Sequence, residues 1–228
     1  AANQDAFLME DCHVIVATIA FGMGIDKPDV RFVIHFDVPK SLEGYYQETG
    51  RGGRDGMEGD CILFYNPSDI EKLEKFMKDK PVSEREIGEQ LIFETQSYVE
   101  SSGCRRRILL HYFGEEFDNE TGEGGDMDDN VRNPKVKVEA QKQVVKLLEV
   151  VRDTKHIYKS KEVVFTLIGR VNAVIKAHRT DVQSFFGSGT DHDEKYWMAL
   201  LRQVLVDGML SKDIETYGVV KITKKGLD

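Results

Sequence analysis

The sequence predicts an α/β chain: part of a parallel sheet first, then a helical middle, then a smaller α+β module. Three observations carry this expectation. Short β-branched runs alternate with helical connections over residues 14–65, the pattern of a parallel sheet with helical crossovers. The last third holds a helical apolar stripe followed by two short strands around Glu215-Thr-Tyr-Gly218, a hairpin. Charge also divides along the chain. Residues 1–134 hold 14 Lys+Arg against 28 Asp+Glu and residues 135–228 hold 17 against 12, which together make the net −9. Such asymmetry points to modules with different partners, the second compatible with nucleic acid.

Taken in order, residues 14–18 (Val-Ile-Val-Ala-Thr) read as a buried strand, residues 31–36 as a second and residues 60–65 as a third. A helix is expected to begin near Ser41. Ser68-Asp-Ile-Glu71 and Ser83-Glu-Arg-Glu86 have capping-box spacing, predicting helices over 68–79 and 83–101, with another over 104–113 ending at Gly114. Residues 115–135 are acidic, Gly-rich and short of large apolar groups, so a flexible loop is expected. Beyond Lys135, helical spacing returns at Ala140, Val144, Leu147, Leu148 and Val151. Trp197, Leu200, Leu201, Val204 and Leu205 form a stripe ending at Gly208. Helices followed by a terminal hairpin predict a winged helix-turn-helix.

The 40% hydrophobic and 31% charged content is ordinary for a globular chain of 228 residues. No apolar run approaches transmembrane length and no signal-peptide layout opens the chain, so no membrane partner is expected. Ala1 in place of Met leads to the expectation that the chain begins inside a longer protein. Cys12, Cys61 and Cys104 are odd in number and far apart, which excludes a disulfide framework and favours a reducing compartment.

Chemistry concentrates in residues 45–56, Tyr-Tyr-Gln-Glu-Thr-Gly-Arg-Gly-Gly-Arg-Asp-Gly. If this stretch is helical, Gln47, Arg51 and Arg54 share one face, and two guanidinium forks with an amide suit a polyphosphate. A Gly-rich surface turn with solvated arginines is the plain alternative. The loop Phe21-Gly-Met-Gly-Ile-Asp26 leaves the first strand's carboxyl end, where open α/β sheets bind ligands. Gly24 lets backbone approach a ligand there, and Asp26 accepts hydrogen bonds from a sugar hydroxyl.

In this order, Thr18, FGMGID and QETGRGGRD resemble motifs V and VI of superfamily 2 helicases, and most closely the RecQ family of ATP-dependent DNA helicases. Arg31-Phe-Val-Ile-His-Phe, Ser41-Leu-Glu-Gly-Tyr-Tyr, Leu63-Phe-Tyr, Cys104-Arg-Arg, Leu110-His-Tyr-Phe-Gly114 and the segment around Trp197 extend the likeness over essentially the whole chain. The resemblance implies that residues 1–70 are the later part of a second RecA-like motor domain. Residues 71–134 would be a helical zinc-type subdomain, and residues 135–228 a winged-helix (RQC) DNA-binding domain.

The resemblance also assigns roles. Arg54 would be an arginine finger reaching ATP and Mg²⁺ held by a first RecA-like domain, with Arg51 beside it. Gln47 would link ATP to DNA movement, Asp26 and Gly24 would lie at the nucleotide side, and Thr18 near a DNA phosphate. Gly52 stands where the family usually has alanine. No GxxxxGKS/T phosphate loop occurs in the sequence, and His192-Asp-Glu194 follows no apolar strand, so this chain alone is not expected to hydrolyse ATP. The expected whole is a monomeric 3′-to-5′ helicase of DNA repair and recombination, acting on single-stranded/duplex junctions in a bacterial cytoplasm or a nucleus. A catalytically inactive DNA-binding or protein-interaction module is the alternative.

At the zinc position the likeness breaks. Cys104 matches the family's first ligand, but the other three positions fall on Gly125, Asp128 and Val131, and glycine and valine offer no ligating side chain. Asp126, Asp128 and His111 are the side chains left that could help hold a metal, but an acidic, Gly-rich loop is more often solvated, so zinc is doubtful and an unpinned loop over 115–133 is expected. In the last module, the Gly187-Ser-Gly-Thr190 loop enters the Trp197 helix. Free amides at a helix N-terminus favour phosphate, which nominates Ser188 and Thr190. Lys195 and Arg202 would add charge from the outer face. Trp197 reads as core, since it starts the apolar stripe; Tyr217 at the hairpin tip is either a wedge under a base pair or an exposed turn residue.

Overall fold

A computed structural model describes residues 2–18, 27–213, 216 and 218–227. The chain divides into two units, Ala1–Thr95 and Gln96–Asp228.

In the first unit, α1 (Ala2–Leu8) is followed by extended chain. The strand expected over 14–18 does not form: this run finds no ladder partner among the described residues, and Val16 is 95% exposed. A strand's backbone groups need a neighbour, and sequence pattern cannot supply one. The other two expected strands are present. β1 (Phe32–His35) and β2 (Asp60–Leu63) pair in parallel, with Phe32 opposite Asp60 and His35 opposite Leu63. Phe32, Ile34, Phe36, Ile62 and Phe64 on and beside these strands are exposed.

Between the strands runs α2 (Leu42–Thr49), started by Ser41, whose Oγ accepts from the Gly44 amide at 3.2 Å. Leu42 and Tyr45 face inward. The helix does not extend through 56, as a shared face for Gln47, Arg51 and Arg54 would require. It stops at Gly50, and Gly53 and Gly56 take positive φ (64° and 82°), where glycine carries no Cβ penalty.

The next helix, α3 (Pro67–Met77), is capped two residues before the expected Ser68. Asn66 is the cap, paired reciprocally with Asp69, and Pro67 occupies the first turn, where its missing N–H costs nothing. α4 (Val82–Glu100) follows. Val38, Ile70 and Ile92 form a small core with Leu63, Tyr65, Leu73 and Met77 packed against it.

The second unit contains α5 (Arg105–Tyr112), the short α6 (Asp129–Arg132) and a larger core beyond. α7 (Gln141–Asp153) buries Leu147, Val150 and Val151, as its spacing predicts. α8 (Ser160–Ile168) is almost wholly internal and ends at Gly169, left-handed at φ 72°. α9 (Ala173–Ala177) is capped by Asn172, whose side chain accepts from the Ile175 amide. α10 (Glu194–Val206) turns Trp197, Leu201 and Val204 inward, and Trp197 is fully buried. β3 (Leu210–Asp213) and β4 (Val219–Ile222) then form the antiparallel hairpin, and α11 (Lys224–Leu227) follows. A bridge from Lys159 to Val219 ties the hairpin to the segment before α8.

Candidate functional site

The arginine loop is built from the end of α2. With the helix stopped at Gly50, Arg54 turns back and its Nε donates to the Gly50 carbonyl at 3.2 Å. The loop is laced to the segment preceding β1: the Gly53 amide donates to Val30 O at 2.9 Å and the Asp55 amide to Pro28 O at 3.2 Å. Arg31 grips Asp55 with both ends of its guanidinium, Nη1 reaching Oδ1 at 3.0 Å and Nη2 contacting Oδ2. This fork, with a further bond from the Met57 amide, holds the Asp55 carboxyl at about 2, below its usual 3.8. Gly53 is required here: a Cβ would stand 2.4 Å from Met57 O. The result is a fixed loop on which Arg54 is exposed and Arg51 half-buried, next to a helix that exposes Gln47.

Behind the loop, His35 at the end of β1 bonds Glu48 on α2, Nε2 to Oε2 at 2.6 Å, and packs its ring against Tyr45 with centroids 5.2 Å apart. Sequence reading named the arginines but missed the residues that position them, Arg31, Asp55, His35 and Glu48. All four lie inside or beside the quoted motifs, yet no spacing rule pairs residues 24 positions apart. Thr18 is exposed, in extended chain. Gly24 and Asp26 lie outside the described residues.

Around Cys104 the expectation of an unpinned loop is overturned. Cys104 is buried against the Gly125 carbonyl, Sγ to O at 3.8 Å, and burial pushes its thiol up. Asp128 accepts from the Arg105 amide at 3.0 Å through Oδ2 and from the Asn130 and Val131 amides at 2.9 and 3.1 Å through Oδ1. The Asn130 side chain, buried, donates to Ser101 O and Gly103 O, both at 2.9 Å. Arg105 forks onto Asp129, and Arg106 donates to Glu123 O at 2.9 Å. Composition alone suggested a solvated segment, because anchoring by a few long-range polar contacts leaves no trace in hydrophobicity. Among the described residues no group of three His, Cys, Asp or Glu side chains is arranged to hold a metal ion. His111 and Asp126 are exposed.

In the C-terminal module three amides of the loop expected to bind phosphate already donate within the protein. The Gly187, Ser188 and Gly189 amides donate to Thr166 O, Phe185 O and Leu167 O at 2.8, 3.2 and 2.7 Å. Gly189 O in turn accepts from Trp197 Nε1 at 2.7 Å. Asp193 caps α10 by accepting from the Tyr196 amide at 2.8 Å, and Asp191 and Glu194 add negative charge to that end. Ser188 and Thr190 remain exposed, as does Lys195.

Arg202 is not an outer-face cation. Its side chain is 11% exposed and its guanidinium lies 3.5 Å from the Glu100 carboxylate. Tyr217 lies outside the described residues. Exposed basic side chains the sequence reading passed over sit together on and after α9: Lys176 and Arg179, with His178 between.

Comparison with known proteins divides the chain into three successive matches. Residues 2–56 match the helicase conserved C-terminal domain, residues 67–130 the RecQ zinc-binding family and residues 134–228 the RQC domain. The ATP-dependent DNA helicase RecQ of Pasteurella multocida is 36% identical over 92% of this chain and 33% of its own length. The Haemophilus influenzae protein of the same name is 35% identical over 92% of this chain and 34% of its own. The ATP-dependent helicase SGS1 of Saccharomyces cerevisiae is 41% identical over 66% of this chain and 11% of its own. The chain thus spans about a third of the length of the bacterial relatives it matches.

Proposed function

We propose, for a chain that belongs to the RecQ family as its C-terminal region, that it supplies one half of the ATP site and a DNA-holding module of an ATP-dependent DNA helicase. Residues 1–70 are read as the later part of a second RecA-like domain, residues 71–134 as the helical zinc-type subdomain and residues 135–228 as a winged helix. Arg54 is the finger toward the γ-phosphate of ATP-Mg²⁺ bound on a first RecA-like domain. Arg51 stands beside it, and Gln47 couples nucleotide state to DNA. A guanidinium arriving in trans stabilises charge on the transferring phosphoryl group only while the two domains are closed. Asp26 and Gly24 are assigned to the nucleotide side and Thr18 to a DNA phosphate.

The observation supporting this reading is the fixed arginine loop. An exposed Arg54 on a loop held by Arg31, Asp55 and two backbone bonds to residues 28–30 is preorganised for a ligand. A merely solvated surface arginine needs no such support. In the protein extended to include both halves of the site, Arg54→Ala is expected to lower DNA-stimulated ATP turnover by about 10³-fold or more. Equal turnover in the two proteins would overturn the assignment.

For DNA we assign Lys176 and Arg179 on the α9 side together with Lys195, Ser188 and Thr190, and Tyr217 at the hairpin. These reach phosphates through side chains rather than through the amides of residues 187–189, which donate within the protein. Contacts of this kind position a duplex without reading sequence, so structure-dependent, salt-sensitive binding at junctions is the expected behaviour. The 3′-to-5′ direction and the role in repair and recombination rest on the family likeness, as does action as a monomer.

A further inference from the structure

The segment matching the RecQ zinc-binding family carries a donor set that does not fit zinc. Structural zinc takes four closed ligands from Cys, His or carboxylate. Of the four positions, Gly125 and Val131 have no ligating side chain, and both oxygens of Asp128 already accept from backbone amides. Its Oδ2 is taken by the Arg105 amide and its Oδ1 by the Asn130 and Val131 amides. A metal at Asp128 would compete with these amides for the carboxylate that both helix starts use as acceptor, and would still find at most Cys104 beside it among the four positions.

Those same bonds show what does the joining. A zinc ion in such a place cross-links the start of one helix to a distant loop. Here Asp128 is the N-cap of α6 and also accepts from the first amide of α5, where Cys104, the residue at the cap position, makes no side-chain cap bond. One carboxylate therefore serves two helix N-termini, each of which favours negative charge. Asn130, two residues on, inserts its amide between Ser101 O and Gly103 O, satisfying both carbonyls of the chain entering α5. The Arg105–Asp129 fork closes the outer side. Apart from the local cap of α6, these contacts join residues 101–105 to residues 128–130.

We propose that residues 115–133 are held by a metal-free clasp in which the Asp128 carboxylate and the Asn130 amide take the cross-linking place that zinc has in the family this segment matches. The order of the segment then depends on these two side chains and is indifferent to chelators.

The test uses the full chain. Metal content is measured by elemental analysis, and cleavage within 115–133 by limited proteolysis with and without EDTA or added zinc. The expected results are no stoichiometric zinc and the same cleavage rate in all three conditions. Asn130→Ala and Asp128→Ala are each expected to speed cleavage about tenfold or more, because two or three part-buried bonds are lost and cleavage follows the opening equilibrium. Asp126→Ala, which removes the same charge from an exposed neighbour, is expected to change nothing. One zinc per chain with EDTA-accelerated cleavage overturns the proposal, as does wild-type resistance in both Asn130→Ala and Asp128→Ala. The chelator arm uses the unaltered chain, so it decides the question even where Asp128→Ala does not accumulate in folded form.

Discussion

Replacing Gly189 with alanine puts a methyl group where the Trp197 indole already is. A Cβ there would stand 2.8 Å from Cε2 and Cζ2 and 2.9 Å from Nε1 of a ring that is fully buried. The ring has no room to retreat, because it is hemmed in by the core of α7, α8 and α10, and its N–H is tied to Gly189 O at 2.7 Å. Overpacking of this kind costs about 1–3 kcal/mol, and loosening the indole hydrogen bond about 1 more. The expected loss is therefore about 2–4 kcal/mol. Gly208→Ala supplies the control: its φ is +73°, but a Cβ there meets nothing within 4 Å, so only the backbone cost of about 1–2 kcal/mol applies. Denaturant unfolding followed by tryptophan fluorescence reads both, since Trp197 is the only tryptophan in the sequence. Gly189→Ala is expected to shift the native emission, and Gly208→Ala to leave it unmoved. A Gly189→Ala protein within about 0.5 kcal/mol of wild type, with unshifted emission, would refute the reasoning.

Two further outcomes concern the proposed sites. The Asp55 carboxyl, held at about 2 by Arg31 and the Met57 amide, contributes to loop order above its usual 3.8, and that contribution is lost as pH falls through about 2. An NMR titration should find this low midpoint and see it rise toward 3.8 in Arg31→Ala; a wild-type midpoint near 3.8 would show that the fork does not persist in solution. For DNA, Lys176→Ala and Arg179→Ala should each lower the salt slope of binding to a forked duplex by about 1, measured by anisotropy over about 50 to 200 mM salt. Unchanged slopes in both would remove α9 from the interface.

What could be read from the sequence divides by the range of the interaction responsible. The stripe from Trp197 to Leu205 and the run at Leu147 to Val151 gave helices with the right faces inward, because burial at helical spacing is a local pattern. The parallel pairing of β1 with β2 followed from the helical connection between them. Errors came where a non-local partner decides. The run at 14–18 is as apolar as β1, yet only a ladder neighbour makes a strand. Arg202 pairs with Glu100, 102 positions earlier, a partner that no local pattern announces. The cap of α3 fell on Asn66 and not Ser68 because Pro67, which suits a first turn, advances the helix start. The arginines of residues 45–56 were legible as chemistry, while the turn displaying them depends on Arg31, far back in the chain.

The small sheet has a consequence for handling the molecule. Among the described residues, β1 and β2 pair only with each other, so the outer edge of each strand keeps backbone donors and acceptors without a ladder partner. Phe36 and Phe64, immediately beyond the two strands, are 83% and 58% exposed. In colloidal terms this is a template onto which another extended segment adds, gaining hydrogen bonds and burying aromatic surface together. Encounters between copies scale with the square of concentration. For the isolated chain in solution, association through this edge is therefore expected to rise steeply with concentration, and a charged substitution at Phe36 or Phe64 to suppress it.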